Sequence, residues 1–176
     1  MTILPIITLP DKRLRQQSAA VEKVTPELLK LADDMLETMY DAPGIGLAAV
    51  QIGQMIRLIV LDIGTKTGDG KNPMIFFNPE VTWVSEEKST YNEGCLSIPA
   101  FEEDVIRPAS IKISYMDKDG KQQAMDADGI LATCLQHEID HINGKLFIDY
   151  ISSLKRALVT KKFIKKQERR QRPSND

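Results

Sequence analysis

Residues 136–144 read QHEIDHING. His137 and His141 are four residues apart, so on a helix their imidazoles lie on the same side, one turn from each other. In this HExxH pattern the helix presents two nitrogen ligands to a divalent metal ion. Glu138, the carboxylate beside them, can accept a proton from a water molecule that the metal activates. The stretch therefore predicts a metal site, and the alternative interpretation is two histidines that cap or pack against polar groups of the core.

Helix signals surround this stretch and recur near the start of the chain. Asp128 can cap a helix that runs from about residue 129 to 143, with Gly144 at its C-terminal end. A first amphipathic helix is predicted over residues 25–42, with Thr25 as its N-cap.

The middle of the chain has the β-branched and alternating patterns of short strands. Residues 110–128 form the clearest hairpin, with a KDG turn. Strands are also predicted at 56–63, 74–79, 80–86 and around Ile98, with an irregular segment at 43–53 and a polar surface loop at 64–73. We therefore predict an α+β fold of mostly antiparallel strands around the central HExxH helix, with N-terminal and C-terminal helices, in a single domain over residues 1–176.

A last helix is predicted over about residues 153–170, capped by Ser152 or Ser153, with Ile151, Leu154 and Leu158 on one face. It is strongly basic. Residues 155–172 hold nine Lys or Arg and one Glu, a net charge of +8, whereas residues 1–154 carry −9 and Asp176 completes the total of −2. Such a run forms either a solvated helix face or a contact with phosphate-rich RNA.

Composition narrows the classes of protein that the chain can be. With 176 residues and 42% hydrophobic residues, it can bury a core without disulfides. The start MTILPIITLPDK has neither the basic region nor the long apolar region of a signal peptide, and no stretch approaches the roughly 20 apolar residues of a membrane span. We expect a cytoplasmic protein with no membrane or DNA partner.

The third metal ligand decides the kind of enzyme. Phe147 stands where metzincins have their third histidine, and the only glutamate after the motif, Glu168, lies in the basic tail. Asp149 is conceivable as a ligand, but its place near the helix end favours capping. Cys134 is about 10 Å along the helix axis from His141, too far for one metal to bind both, and is better read as a lining residue.

Cys95, in a separate EGCLS segment, is free to approach the two histidines. A Cys-His-His set leaves a fourth position open, as catalytic zinc sites do. A zinc metallopeptidase that cuts ordinary peptide bonds, and a ribosome- or RNA-binding module with a structural metal, remain alternatives at this point.

Three segments together resemble the signatures of the peptide deformylase family: GIGLAAVQ at 44–51, EGCLS at 93–97 and QHEIDH at 136–141. The resemblance implies a metal-dependent hydrolase that removes the N-formyl group from the formylmethionine of nascent polypeptides and releases formate. It implies that Cys95, His137 and His141 bind one divalent metal ion and that Glu138 is the acid and base. The ion would be Fe²⁺, with Zn²⁺, Ni²⁺ or Co²⁺ as substitutes.

The same resemblance assigns further roles. The side-chain amide of Gln51 and the backbone N–H of Leu96 would stabilise the oxyanion, and the basic C-terminal helix would dock on the ribosome. The substrate is expected to contact Gly44, Ile45, Gly46, Gly94 and Cys134. Two positions depart from the pattern: Pro43 stands where several members have Glu, and Glu102 where some have Arg. Both departures concern contacts on the substrate side and not the metal centre.

Overall fold

The computed structural model describes residues 2–171 of the chain. Its helices are α1 (Pro26–Asp41), α2 (Gly64–Thr67), α3 (Gly129–Ile142) and α4 (Ser153–Gln171). Its strands are β1 (Gly46–Ala48), β2 (Leu58–Leu61), β3 (Met74–Val84), β4 (Lys88–Cys95), β5 (Ile98–Pro108), β6 (Ser110–Met116) and β7 (Gln122–Asp128). Short 3-10 turns span Lys12–Arg15, Ala49–Ile52 and Phe147–Tyr150.

Every pair of neighbouring strands is antiparallel. Five strands form one sheet in the order β1-β2-β3-β6-β7, and β4 and β5 form a separate hairpin. Helix α3 packs against β1, β2 and β7 of the larger sheet and also contacts the hairpin. This α+β arrangement confirms the predicted fold class, with the HExxH helix between the two sheets.

Helix α1 confirms the sequence prediction closely. The Thr25 side chain accepts a hydrogen bond from the backbone N–H of Leu28, and Pro26 occupies the first turn, where its missing N–H costs no hydrogen bond. Met35 and Met39 are fully buried. They belong to a core cluster with residues of β2 and β3, so the helix covers one face of the large sheet.

Helix α3 is almost entirely buried, because it lies between the sheets. Ala132, Leu135 and Ile142 are fully buried in a second core cluster. The helix ends before Gly144, which has a positive φ of 74°. A Cβ at that position would lie 2.5 Å from the carbonyl oxygen of Arg15, so both the backbone conformation and the close approach require glycine.

Two segments differ from the expectation of irregular structure. Residues 43–53 contain β1, because Leu47 pairs with Val60 on the adjacent β2, followed by a 3-10 turn. The polar loop at 64–73 begins with the short helix α2. Buried Asp62 accepts hydrogen bonds from the backbone N–H groups of Gly64 and Asn72 and so closes this loop.

The predicted strands 74–79 and 80–86 are a single strand, β3. Its pairing with β6 shifts register between Phe77 and Glu80, where Asn78 has a φ of 50°. A bulge lets one strand continue through what looks in the sequence like a break at Asn-Pro.

Helix α4 begins where the sequence predicted, but it buries a different face. Leu154 and Leu158 are 70% and 60% exposed, whereas Val159 and Phe163 are buried against the 3-10 turn Phe147–Tyr150. Leu154 and Leu158 therefore share a face, as the sequence predicted, but that face is exposed, because the helix docks through its later residues. Arg172 of the basic run lies outside the described residues. None of the helices in the described range is long and apolar enough to cross a membrane.

Candidate metal centre

Three potential metal ligands converge between the two sheets. Strand β4 ends at Cys95, and α3 carries His137 and His141 one turn apart. One donor atom from each residue lies within 4.8 Å of the other two. The Sγ atom of Cys95 is 3.2 Å from Nε2 of His141. The sequence-predicted set is therefore brought together from two separate elements.

The spacing of these donor atoms fits one divalent ion. Metal–sulfur bonds of about 2.3 Å and metal–nitrogen bonds of about 2.0–2.1 Å in a tetrahedron place neighbouring donors roughly 3.3–3.7 Å apart. The Cys95–His141 separation is close to this range. A set of three protein donors would leave a fourth position for water or substrate, as in catalytic rather than structural sites.

The second nitrogen of His137 is held by a buried ion-pair network. Its Nδ1 atom lies 2.8 Å from Oε2 of Glu93, which leaves Nε2 to face the other donors. Arg107 donates two hydrogen bonds to Glu93, at 2.6 and 3.0 Å, and a third at 2.8 Å to Asp140. Burial alone would raise the pKa of Glu93, but the hydrogen bonds from His137 and Arg107 hold it below its usual value. Glu93 is therefore an anion that orients the histidine.

The sequence prediction missed this network. In the sequence Glu93 stands out only as part of EGCLS, although it lies two residues before Cys95 on β4 and so shares its face of the strand. Asp140 follows His137 by three positions on α3, which is one helical turn. Arg107 comes from β5, and no local pattern distinguishes it.

Glu138 is a buried carboxyl with an unusual environment. It is 4% exposed, and among the described residues its Oε2 atom has no hydrogen-bond partner. Burial raises the pKa of Glu138 to about 7. A carboxyl that titrates near neutrality can both accept and return a proton at physiological pH. A Cβ on Gly46 would overlap this carboxylate, so the glycine provides space for it.

Gln51 connects the 3-10 turn after β1 to the donor set. Its Oε1 atom accepts a hydrogen bond from the backbone N–H of Ala48 at 2.9 Å, which fixes the orientation of the amide. Its Nε2 donates to Oγ of Ser97 at 3.0 Å and lies 3.6 Å from Sγ of Cys95. Gln51 is 1% exposed, so its amide is almost fully buried.

A cleft of about 920 Å³ opens beside these residues. Gln51, Cys95, His137 and Glu138 line it, so the chemistry-bearing side chains are accessible to a ligand. The predicted substrate contacts also line it, as does the oxyanion candidate after Cys95 in the chain: Gly44, Ile45, Gly46, Gly94, Cys134 and Leu96. Both departures from the family pattern, Pro43 and Glu102, lie on its wall.

The rejected ligand candidates have other partners. Burial raises the pKa of the Cys134 thiol, which lies 3.7 Å from the carbonyl oxygen of Ile45. Asp149 accepts hydrogen bonds from the backbone N–H of Leu146 and from Arg15. Phe147 stacks on the imidazole of His137, with ring centroids 5.9 Å apart.

A Cys-His-His donor set, a buried carboxyl that titrates near neutrality and an adjoining cleft define a metal-dependent hydrolase. The model of the polypeptide deformylase family matches residues 3–157. The chain therefore belongs to the peptide deformylase family.

Individual relatives agree along nearly the whole length. A peptide deformylase of Agrobacterium fabrum is 62% identical over 165 residues, covering 94% of this chain and 96% of the relative. One from Rhizobium meliloti is 61% identical with 94% of each chain covered. The crystal structure of peptide deformylase from Ehrlichia chaffeensis in complex with actinonin superposes with a TM-score of 0.89 at 43% identity, covering 96% of this chain and 99% of that one.

These findings establish the activity at the level of the family. The chain is a metalloenzyme that removes the N-formyl group from N-formylmethionyl nascent peptides. This outcome decides against the metallopeptidase and against the binding module with a structural metal.

Proposed function

We propose that Cys95, His137 and His141 hold a single divalent metal ion at the floor of the cleft and that Glu138 moves the proton. The convergence of three donor atoms within 4.8 Å, next to a buried unpaired carboxylate oxygen, carries this assignment. When bound, the ion supplies Lewis acidity for the attack of water on the formyl carbon.

Glu138 accepts the proton of the attacking water and delivers it to the departing amine. Its pKa of about 7 suits both roles, because neither protonation state is strongly disfavoured at neutral pH. Glu138 is buried beside Gly46, so its carboxyl is largely shielded from bulk water.

Negative charge that develops on the formyl oxygen meets the side-chain amide of Gln51 and the backbone N–H of Leu96. The hydrogen bonds of Gln51 to Ala48 and Ser97 fix its amide before substrate arrives, so no reorganisation is required in the transition state. Such a donor contributes about 10²–10³-fold in rate.

The substrate binds in the cleft as an extended peptide beside β1. Strand β1 pairs with β2 on one side, and within the described residues its other edge carries no strand, so the backbone of Gly44–Gly46 can bond to a peptide backbone. Glycine at 44 and 46 permits close approach. Gly94 and Cys134 line the space for the methionine side chain.

The metal is ferrous iron in the working enzyme, with Zn²⁺, Ni²⁺ or Co²⁺ as substitutes. One thiolate and two imidazoles are ligands that suit each of these ions, so the donor set supports the class of metal, and the choice of iron follows from the family resemblance.

The enzyme works in the cytoplasm as one catalytic domain over residues 1–176. In the cytoplasm, α4 docks it on the ribosome. Lysines 161, 162, 165 and 166 are exposed and form a cationic surface suited to ribosomal RNA. Nascent chains with intact formyl groups are found there, so docking places the cleft near its substrate.

Two variants test the site assignment together. Cys95→Ala should abolish metal retention, whereas Glu138→Gln should keep the metal and lose formate release from formyl-Met-Ala. Cys134→Ala is the matched control for loss of a thiol and should retain the metal. Full metal content in the Cys95→Ala protein, or full activity in the Glu138→Gln protein, would contradict the proposal.

A further inference from the structure

Tyr150 ends the 3-10 turn that joins α3 to α4, and the proposed mechanism gives it no role. The residue is 46% exposed, and its ring lies over the guanidinium of Arg107, with Cζ 4.5 Å from the ring centroid. Burial of the hydroxyl and the nearby Asp140 carboxylate raise the pKa of Tyr150 to about 12, so the side chain remains neutral at physiological pH.

Each of the three nitrogens of the guanidinium under this ring donates a hydrogen bond. Arg107 is 3% exposed and donates to both carboxylate oxygens of Glu93 and to Asp140. These hydrogen bonds lie in the guanidinium plane, so a flat ring on its face adds a contact that restrains the tilt of the plane. Tyr150 supplies this contact.

The same turn also contacts His137 directly. Phe147 begins the turn and stacks on the imidazole with an interplanar angle of 24°. Asp149 holds the turn in place through the backbone N–H of Leu146 and through Arg15. Residues 147–150 therefore approach His137 by two routes: one through Phe147, and one from Tyr150 through Arg107 and Glu93.

We propose that Tyr150 is a positioning residue for the metal ligand His137. Its ring fixes the Arg107 guanidinium, which fixes the Glu93 carboxylate, which in turn sets the orientation of the imidazole and keeps the proton on Nδ1. This inference rests on the proposed function, because it takes His137 to be a metal ligand. Loss of the ring face frees the guanidinium to tilt, and the imidazole follows.

The test compares Tyr150→Leu with Tyr150→Phe in Co²⁺-loaded protein under argon. The readouts are the visible absorption of the bound Co²⁺ and the rate of its release to a chelator. Outer-shell partners of metal-binding histidines affect metal affinity by about 10–100-fold. We expect the Tyr150→Leu protein to release Co²⁺ about tenfold faster with an altered absorption band. The Tyr150→Phe protein, which keeps the ring, should match the parent.

Tyr115→Leu is the control for general destabilisation, because Tyr115 packs edge-on against Phe76 in the core away from the site. It should lower the melting temperature without changing the absorption band. If Tyr150→Leu does not fold, Tyr150→Met tests the same contact, because methionine keeps an apolar side chain but lacks the flat ring that lies over Arg107. This variant should also alter the absorption band and release Co²⁺ faster than the parent does.

An unchanged band and release rate in Tyr150→Leu, or in its replacement variant where Tyr150→Leu does not fold, would overturn the role of Tyr150. The metal site itself would remain supported. Failure of the parent protein to take up Co²⁺ would instead contradict the proposed function itself. The two failures are therefore distinguishable in one series of measurements.

Discussion

The Nδ1 atom of His137 lies 2.8 Å from Oε2 of Glu93, and both side chains are buried. This contact ties the HExxH helix to the strand that carries Cys95, so the two halves of the donor set are oriented by each other. A carboxylate behind a histidine fixes its tautomer and makes its other nitrogen a stronger ligand.

Replacing Glu93 by Ala should weaken metal binding by about 10–100-fold, because His137 loses its orienting partner. Arg107 would also keep a buried charge without its main partner, so stability should fall. Metal content after dialysis and thermal unfolding measure the two effects. Glu103→Ala is the matched control, because Glu103 pairs with Lys155 at the surface and should leave metal binding unchanged. Equal metal affinity in the two variants would contradict the role of Glu93.

Gln51→Ala should lower kcat by about 10²–10³-fold while the metal content stays near that of the parent, because the amide acts on developing charge. Steady-state kinetics with formyl-Met-Ala and elemental analysis separate the two quantities. Gln54→Ala removes an exposed glutamine three residues later and should be neutral. A loss of metal that accounts for the whole loss of rate would show Gln51 to be structural.

The buried carboxyl of Glu138 should make the metal-free protein less stable as pH rises. Its folded pKa of about 7 lies above the ordinary value of 4.5, so the folded state binds the proton more strongly than the unfolded state does. This contribution is fully present below about pH 4.5 and is lost between about pH 4.5 and 7. The shift corresponds to on the order of 3 kcal/mol at 1.36 kcal/mol per pKa unit.

Glu138→Gln removes this titration and leaves the other groups in place. We expect urea unfolding of both metal-free proteins at pH 5 and pH 8 to show that the free energy of unfolding of the variant, relative to that of the parent, is higher at pH 8 than at pH 5. A difference in stability between the two proteins that does not change with pH would mean that Glu138 is not held in a desolvated site.

The exposed lysines of α4 should carry ribosome binding. Deleting residues 160–176 would also remove Phe163, which packs in the core, so substitutions test the surface more cleanly. Lys→Gln changes at 161, 162, 165 and 166 should weaken co-sedimentation with ribosomes and flatten its salt dependence, because fewer counterions are released. Hydrolysis of a short formyl peptide should not change.

Lys118→Gln with Lys121→Gln is the control, since both residues are exposed on the turn between β6 and β7. That pair should leave co-sedimentation as it is. Ribosome binding that survives the four α4 substitutions would count against α4 as the docking element.

Local signals in the sequence predicted the parts of the fold that depend on local chemistry. The capping by Thr25 and the hairpin of β6 and β7 are set by neighbouring residues, and the structure confirms both. The sequence placed Leu154 and Leu158 on one face of α4 but did not indicate which face packs, because that choice is made by the distant Phe147.

The residues of the site also divide into those that local sequence signals predict and those that only distant contacts bring together. The histidine spacing is visible on one helix. Cys95 remained as the candidate thiol because Cys134 is too far along that helix from His141, and the family resemblance then implied it as a ligand. The Arg107 network and the stacking of Tyr150 depend on strands and turns far apart in the chain, so no periodicity points to them.

The most direct test of the central claim is metal content measured together with formate release on anaerobically purified parent protein. We expect about one metal ion per chain, mostly iron, and release of formate from formyl-Met-Ala that stops on chelation and returns with added Fe²⁺. Sustained formate release from metal-free protein, or an inert protein with its full complement of Fe²⁺, would contradict the account.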